Sequence, residues 1–248
     1  MKRLLKRAVG TFGGHVFSDS SLPTGVHWLL DIRRGAFVGA RPLCLDIGAN
    51  VGQTVLEFRR HLPGSIIHAF EPFALPYADL AALCAGLEGV TPRPVAMGDQ
   101  AGSLQVRPRE QSVLNSLLRR GADDAGAGSE TIRIDTVDRY CAEHAIGHVD
   151  VLKTDTEGYD LQVLQGAAEM LRAQRVGVVY TEVTFQRDNR QNTPFQPVFD
   201  WLSALDYCFL GLYETYPLHR FAEPNLFCNA LFVSRATRYA ALERRAVA

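Results

Sequence analysis

The run Asp46-Ile47-Gly48-Ala49-Asn50-Val51-Gly52 is the part of this sequence best suited to holding a small charged ligand. Gly48 lets a chain turn sharply, and Gly52 lets the helix that follows pack close to the preceding strand. Asn50 stands between them, and asparagine is the side chain that best tolerates left-handed backbone angles. A helix N-terminus beyond such a turn offers free N–H groups to a carboxylate. Asp46, just before the turn, can bind an ammonium directly or through water. The pattern therefore suits a ligand that carries both groups. Glu71, in Phe70-Glu71-Pro72, follows the loop by about 20 residues, where an acid can accept hydrogen bonds from both hydroxyls of a ribose.

An amino-acid end beside a ribose describes S-adenosylmethionine. A nicotinamide-dependent oxidoreductase is the competing reading, but its loop needs G-x-G-x-x-G, whereas this loop reads G-x-N-x-G. A pyrophosphate needs the close approach that a middle glycine permits, and no Tyr-x-x-x-Lys pair is present to serve as a dehydrogenase acid. An inactive cofactor-binding module on the same fold is a third reading. Three further acids could take a proton from an attacking hydroxyl: Asp155, Glu157 and Glu182. Asp155 is the first choice and Glu182 the second. Glu157 precedes Gly158 and is as well suited to capping the following turn. Acids also bind Mg²⁺, but no dedicated ligand triplet is evident and no metal is expected. The histidines lack metal-binding spacing. His68 sits inside an apolar run as a core residue, and His219 lies in a loop that could reach substrate.

The elements that must position these residues alternate. Residues 43–48 (LCLDIG), 65–71 (SIIHAFE), 149–155 (VDVLKTD) and 176–182 (VGVVYTE) read as buried parallel strands. Helical spacing covers residues 51–62, 75–87, 136–145 and 159–172, the last strongly amphipathic, and recurs from Phe195 to Leu205. Residues 89–96 contain Pro92 and Pro94, so a strand there must lie at an edge. Short β-like runs occupy 103–106 and 130–134. Two closing strands, 207–213 and 227–234, lack a crossover helix and should form an antiparallel hairpin. The result is a mostly parallel sheet with helices on both faces. In such sheets ligands bind beyond the carboxyl ends of the strands, where Asp155, Glu157 and Glu182 should converge. We expect an N-terminal helical, substrate-side extension over residues 1–40, a catalytic domain over 41–236 and a tail over 237–248.

A formal net charge of -1 gives no field to attract a polyanion, which disfavours a nucleic-acid partner. The five cysteines form no C-x-x-C pair and suit reduced, buried fillers of a cytoplasmic protein. The basic N-terminus (Lys2, Arg3, Lys6, Arg7) lacks the apolar run of a signal peptide; it is expected to be a solvated end, with contact to an anionic membrane surface as the alternative. No stretch approaches the roughly 18 apolar residues that cross a bilayer. The small, polar residues 121–129 suit a lid, and acceptor specificity is expected in residues 1–40, 108–129 and 214–225.

LDIGANVGQT (45–54), FEP (70–72), VAMGDQAGSL (95–104) and VLKTDTEGYDLQVLQGA (151–167) resemble the motifs of the FkbM family of methyltransferases, over residues 42–233. Asp160 stands where that family usually has glutamate. The resemblance implies a Rossmann-like class I methyltransferase fold, α/β, with a seven-stranded sheet in the order 3-2-1-4-5-7-6. Strand 3 is then an edge and strand 7 antiparallel. It also implies O-methylation of a small molecule, glycan or natural product. On these motifs the cofactor site comprises Asp46, Gly48, Ala49, Asn50, Gly52, Thr54, Glu71, Pro72, Met97 and Gly98.

Overall fold

The computed structural model describes residues 18, 22–106, 130–189, 191–217 and 225–247. The first half of the chain forms α1 (Trp28–Arg34), β1 (Leu43–Ile47), α2 (Gln53–His61), β2 (Ile66–Phe70), α3 (Ala74–Cys84), β3 (Val90–Arg93), β4 (Ala96–Met97) and β5 (Gly102–Val106). There follow β6 (Glu130–Asp135), α4 (Val137–Glu143), β7 (Val149–Thr154), α5 (Asp160–Gln165), α6 (Ala168–Arg172), β8 (Val176–Val183), α7 (Phe195–Ala204), β9 (Tyr207–Pro217), β10 (Asn225–Ser234) and α8 (Arg235–Val247).

The main sheet has seven strands in the order β3-β2-β1-β7-β8-β10-β9. Counted along the chain without the strands of the second sheet, this is 3-2-1-4-5-7-6. The pairs are parallel except those of β10, which runs antiparallel to both β8 and β9. Alternating residues build two cores. Leu45, Ile47, Leu152, Val179 and Phe232 face one side, and Cys44, Ile67, Val151, Val178 and Leu231 the other. The central strand β8 is buried along its whole length, as a parallel strand covered on both faces must be. Pro92 lies on the edge strand β3, where its missing N–H breaks no ladder.

Two features differ from the sequence reading. The 89–96 segment is not one strand. After Arg93 the chain turns away, and Ala96–Met97 joins β5 and β6 in a separate three-stranded sheet of order β4-β6-β5. The amphipathic helix over 159–172 is two short helices, α5 and α6. The break has a tertiary cause. The Gly166 carbonyl accepts the Asp138 N–H at 2.9 Å. The Asp138 carboxylate in turn accepts Glu169 N–H at 2.8 Å and Met170 N–H at 2.9 Å. One residue of α4 thus supplies the free helix end with the partners it would otherwise lack. A Cβ on Gly166 would overlap the Gly98 carbonyl oxygen, so only glycine allows this approach.

Helix α1 is docked on the second core. Trp28 is 2% exposed and stacks on Tyr180 with centroids 4.0 Å apart. Asp31 accepts the Tyr213 hydroxyl at 2.9 Å and the Gly25 N–H at 2.7 Å. Arg244 and Arg245 of α8 donate to the carbonyls of Ala36 and Arg34. The two ends of the described chain are therefore tied together. Four of the five cysteines are buried, and all five are free thiols. No helix among the described residues is long and apolar enough to cross a membrane.

Candidate cofactor and active site

The site forms where β1 and β7, neighbours in the middle of the sheet, end side by side. Gly48 has φ +78° and a Cβ there would overlap the Asp155 carbonyl oxygen, so both its backbone angle and its contact require glycine. Asn50 has φ 47°, in the left-handed region that asparagine tolerates. Gly52, at φ +98°, is the N-cap of α2. A Cβ on Gly52 would run into Leu83 of α3, not into the preceding strand. Its bareness therefore serves helix–helix packing, a correction to the expected helix–strand contact.

A cavity of about 300 Å³ opens beyond this turn. Of the residues expected at a cofactor, Gly48, Ala49, Asn50, Thr54, Glu71, Pro72 and Met97 line it, together with Asp155 and Glu157. Asp46, Gly52, Gly98 and Glu182 lie outside its walls. Gly98 packs against Tyr159 and Ile134. The sequence reading missed an apolar wall of Phe70, Phe73, Val95 and Ala96, which suits the face of an aromatic ring, and it missed Lys153.

Glu71 is held in place by the backbone around it. Its Oε2 accepts the Asn50 N–H at 3.1 Å and its Oε1 the Phe73 N–H at 2.9 Å. Each oxygen keeps a lone pair for a further donor. Burial pushes the carboxyl up to about 7, against the two backbone hydrogen bonds, which favour the ionised form. A pair of hydroxyl donors would complete this group. The glycine cradle, the fixed acceptor and the apolar wall together fit an adenosine bearing an amino-acid end.

Asp46 meets an ammonium, but it is that of Lys153. The two residues are direct partners across β1 and β7. Lys153 Nζ lies 3.1 Å from Asp46 Oδ1, 3.4 Å from Asp155 Oδ2 and 3.1 Å from the Gly48 carbonyl oxygen. Burial opposes the charge on Lys153, but the two carboxylates outweigh it and hold the ammonium protonated. Burial also raises the Asp46 carboxyl, with Lys153 opposing. Lys153 could have been suspected as the one basic residue of a buried strand, VDVLKT.

The acids divide by environment. Asp155 keeps 41% of its side chain exposed, toward the cavity. Glu157 has φ 53° and also lines the cavity, but the turn that it enters is closed by Asp160. Asp160 Oδ1 accepts the Thr156 N–H at 3.1 Å, and Oδ2 accepts the Thr193 hydroxyl at 2.9 Å. Burial, aided by Asp155, pushes Asp160 up to about 6. Glu182 is buried, and its Oε2 accepts the Asn192 amide at 2.6 Å. Burial and the neighbouring acids Asp155, Asp160 and Glu157 raise it well above its ordinary value and favour its protonated form. This environment suits Glu182 to anchoring the 184–194 segment better than to removing a proton from a hydroxyl. Outside the site, His68 is satisfied by the Tyr140 hydroxyl at 2.6 Å, and burial lowers it to about 4. The basic N-terminus, the 121–129 segment and His219 lie outside the described residues.

Comparison with known proteins places these features in a family. The model of the methyltransferase FkbM domain matches residues 46–209, which carry the glycine turn, Glu71, Lys153 and all four acids. The chain is 28% identical over 160 residues to methyltransferase sdnD of Sordaria araneosa, covering 52% of this chain and 62% of that protein's length. It is 24% identical over 181 residues to 2-O-methyltransferase NoeI of Sinorhizobium fredii (strain NBRC 101917 / NGR234), covering 66% of this chain and 72% of that one. Among solved structures, an rRNA methylase from Streptococcus thermophilus aligns with a TM-score of 0.45 and 11% identity, over 81% of this chain and 90% of that chain.

Proposed function

Because the chain belongs to the FkbM methyltransferase family, with S-adenosylmethionine as its methyl donor, we propose that it methylates a hydroxyl oxygen of a small molecule or glycan. The observation that carries this reading is the exposed Asp155 carboxylate, which shares one cavity with the glycine turn and Glu71. The 2-O-methyltransferase NoeI supports oxygen as the acceptor atom. S-adenosylmethionine, when bound, supplies a methyl group already activated by the positive charge on sulfur.

The protein's own tasks follow from its geometry. Glu71 accepts the ribose hydroxyls, and the apolar wall of Phe70, Phe73 and Val95 holds the adenine and excludes water. The N–H groups at the start of α2 take the carboxylate of the amino-acid end. An alcohol is a poor nucleophile while neutral, so the hydroxyl proton must leave as the oxygen attacks. Asp155 accepts it. Glu157 stands beside it as a third acid of the cavity, after Glu71 and Asp155, and Glu182, outside the cavity, anchors Asn192.

Two measurements test this reading. A thermal-shift comparison should show stabilisation by S-adenosylhomocysteine and none by NAD or NADP; the opposite pattern would return the oxidoreductase reading. Incubation with methyl-labelled S-adenosylmethionine and a panel of glycans and hydroxylated small molecules should place label in an O-methyl ether. Label found only on nitrogen or carbon would reject O-transfer, and none on any acceptor would favour a binding module.

A further inference from the structure

Lys153 is the residue that the sequence motifs leave without a task and the structure places at the centre of the site. An ammonium has three N–H donors. Lys153 has three acceptors within reach, Asp46 Oδ1, the Gly48 carbonyl and Asp155 Oδ2, at 3.1, 3.1 and 3.4 Å. Its side chain is 6% exposed. An ammonium buried among these three oxygens, with a hydrogen bond to the Gly48 carbonyl and two carboxylates beside it, acts chiefly through the groups it holds.

Those groups belong to two pieces of chain: the end of β1 with the glycine turn that continues it, and the loop after β7. The turn and the loop already touch, because Gly48 lies against the Asp155 carbonyl and the Asp155 N–H donates to the Ile47 carbonyl at 3.0 Å. Lys153 adds the side-chain tie. The charges are unequal, two carboxylates to one ammonium, and Asp46 is wholly buried while Asp155 is not. The surplus negative charge therefore surfaces at Asp155, on the cavity wall.

We propose that Lys153 is a positioning residue, which locks the Gly48 carbonyl and the Asp155 carboxylate into one unit and thereby sets the surplus negative charge where the cofactor's cationic sulfur is received. The inference rests on the S-adenosylmethionine reading above. It explains why a lysine is buried here at all. A site that needed only a packed strand would be served by an apolar residue without the desolvation cost.

The test uses the relative binding of S-adenosylmethionine, whose sulfur is charged, and S-adenosylhomocysteine, whose sulfur is not. Calorimetry on the full chain compares wild type with Asp155→Asn, Lys153→Met and the double variant Asp46→Asn/Lys153→Met. Lys153→Met alone leaves a buried carboxylate uncompensated and can fail to fold. The double variant removes both charges and is the decisive one, since replacing a buried pair by neutral residues of similar volume is often tolerated. Asp155→Asn should weaken S-adenosylmethionine relative to S-adenosylhomocysteine by about tenfold, and the double variant should do so to a similar extent. Adding Asp155→Asn to the double variant should then change the ratio little further. A folded double variant that keeps the wild-type ratio overturns the inference, because the pair would then only balance charge within the fold. Wild type that binds neither compound overturns the cofactor reading and this inference together.

Discussion

Glu71 and Asp155 carry the sharpest predictions at the scale of single residues. The ligand-free Glu71 carboxyl is pushed up to about 7 by burial, while ribose hydroxyls donate to its ionised form. Binding should therefore favour loss of its proton, and affinity for S-adenosylhomocysteine should rise from pH 6 to pH 8, by up to about tenfold. Calorimetry at the two pH values, in buffers of different ionisation enthalpy, would show a proton released on binding; a flat affinity with no release would exclude Glu71 as the ribose acceptor. Glu71→Ala should cost about 2–4 kcal/mol of binding, since hydrogen bonds to a charged acceptor are lost. Asp155→Asn should lower turnover about 10²- to 10⁴-fold while leaving affinity for the uncharged S-adenosylhomocysteine within a few-fold. If that affinity falls and turnover at saturating cofactor does not, Asp155 is a cofactor ligand and not the proton acceptor.

At the scale of elements, two glycines show how close packing decides where helices begin and break. Gly166→Ala would ordinarily favour a helix, since alanine is the better helix former. Here the added Cβ would meet the Gly98 carbonyl, so the substitution should destabilise the protein by about 1–3 kcal/mol. A stabilised Gly166→Ala protein in a urea titration would mean that the break between α5 and α6 does not depend on that contact. Gly52→Val adds an unfavourable left-handed angle to an overlap with Leu83, and should cost about 2–5 kcal/mol. Its effect should spread to α3, visible as faster hydrogen exchange over residues 74–84. The amphipathic stripe of residues 159–172 was legible because apolar spacing is local. The break was not, because its partner Asp138 belongs to another helix.

At the scale of the whole molecule, the described acids make stability depend on pH in an uncommon direction. Glu71 is raised from 4.5 to about 7 and Asp160 from 3.8 to about 6, and Asp46 and Glu182 are raised as well, each with burial as the largest cause. A carboxyl whose folded pKa exceeds its unfolded value contributes stability that is full below the unfolded value and is lost as pH rises through the folded one. His68, lowered to about 4 by burial, works the other way below its unfolded value near 6.5, but the four raised acids together outweigh it, and the ligand-free protein should lose stability between about pH 4.5 and pH 7. Each pKa unit corresponds to about 1.4 kcal/mol, or roughly 2–4 °C per kcal/mol in Tm for a domain of this size. Scanning calorimetry should give a lower Tm at pH 8 than at pH 5.5, and Glu182→Gln should narrow the gap. A Tm that climbs over this range would show that these acids ionise freely in the folded state.

The sequence by itself determined what local periodicity and single-residue backbone demands can encode. The glycine turn and Glu71 at the ends of successive strands, the edge strand marked by Pro92 and the antiparallel closing pair all follow from spacing along the chain. The class of fold and the cofactor follow from those. Tertiary structure alone decided which acid is exposed and which is held. Lys153 and Gly48 meet although they are 105 residues apart, and Asp160 meets Thr193 across 33. Nothing in the local pattern separates Asp155 from Glu182, since both are acids at strand ends. Only the packed sheet buries one against Asn192 and leaves the other open to the cavity beside a buried ammonium. The strength of a charge depends on its distance from other charges and from water, and both distances are set only when the strands assemble.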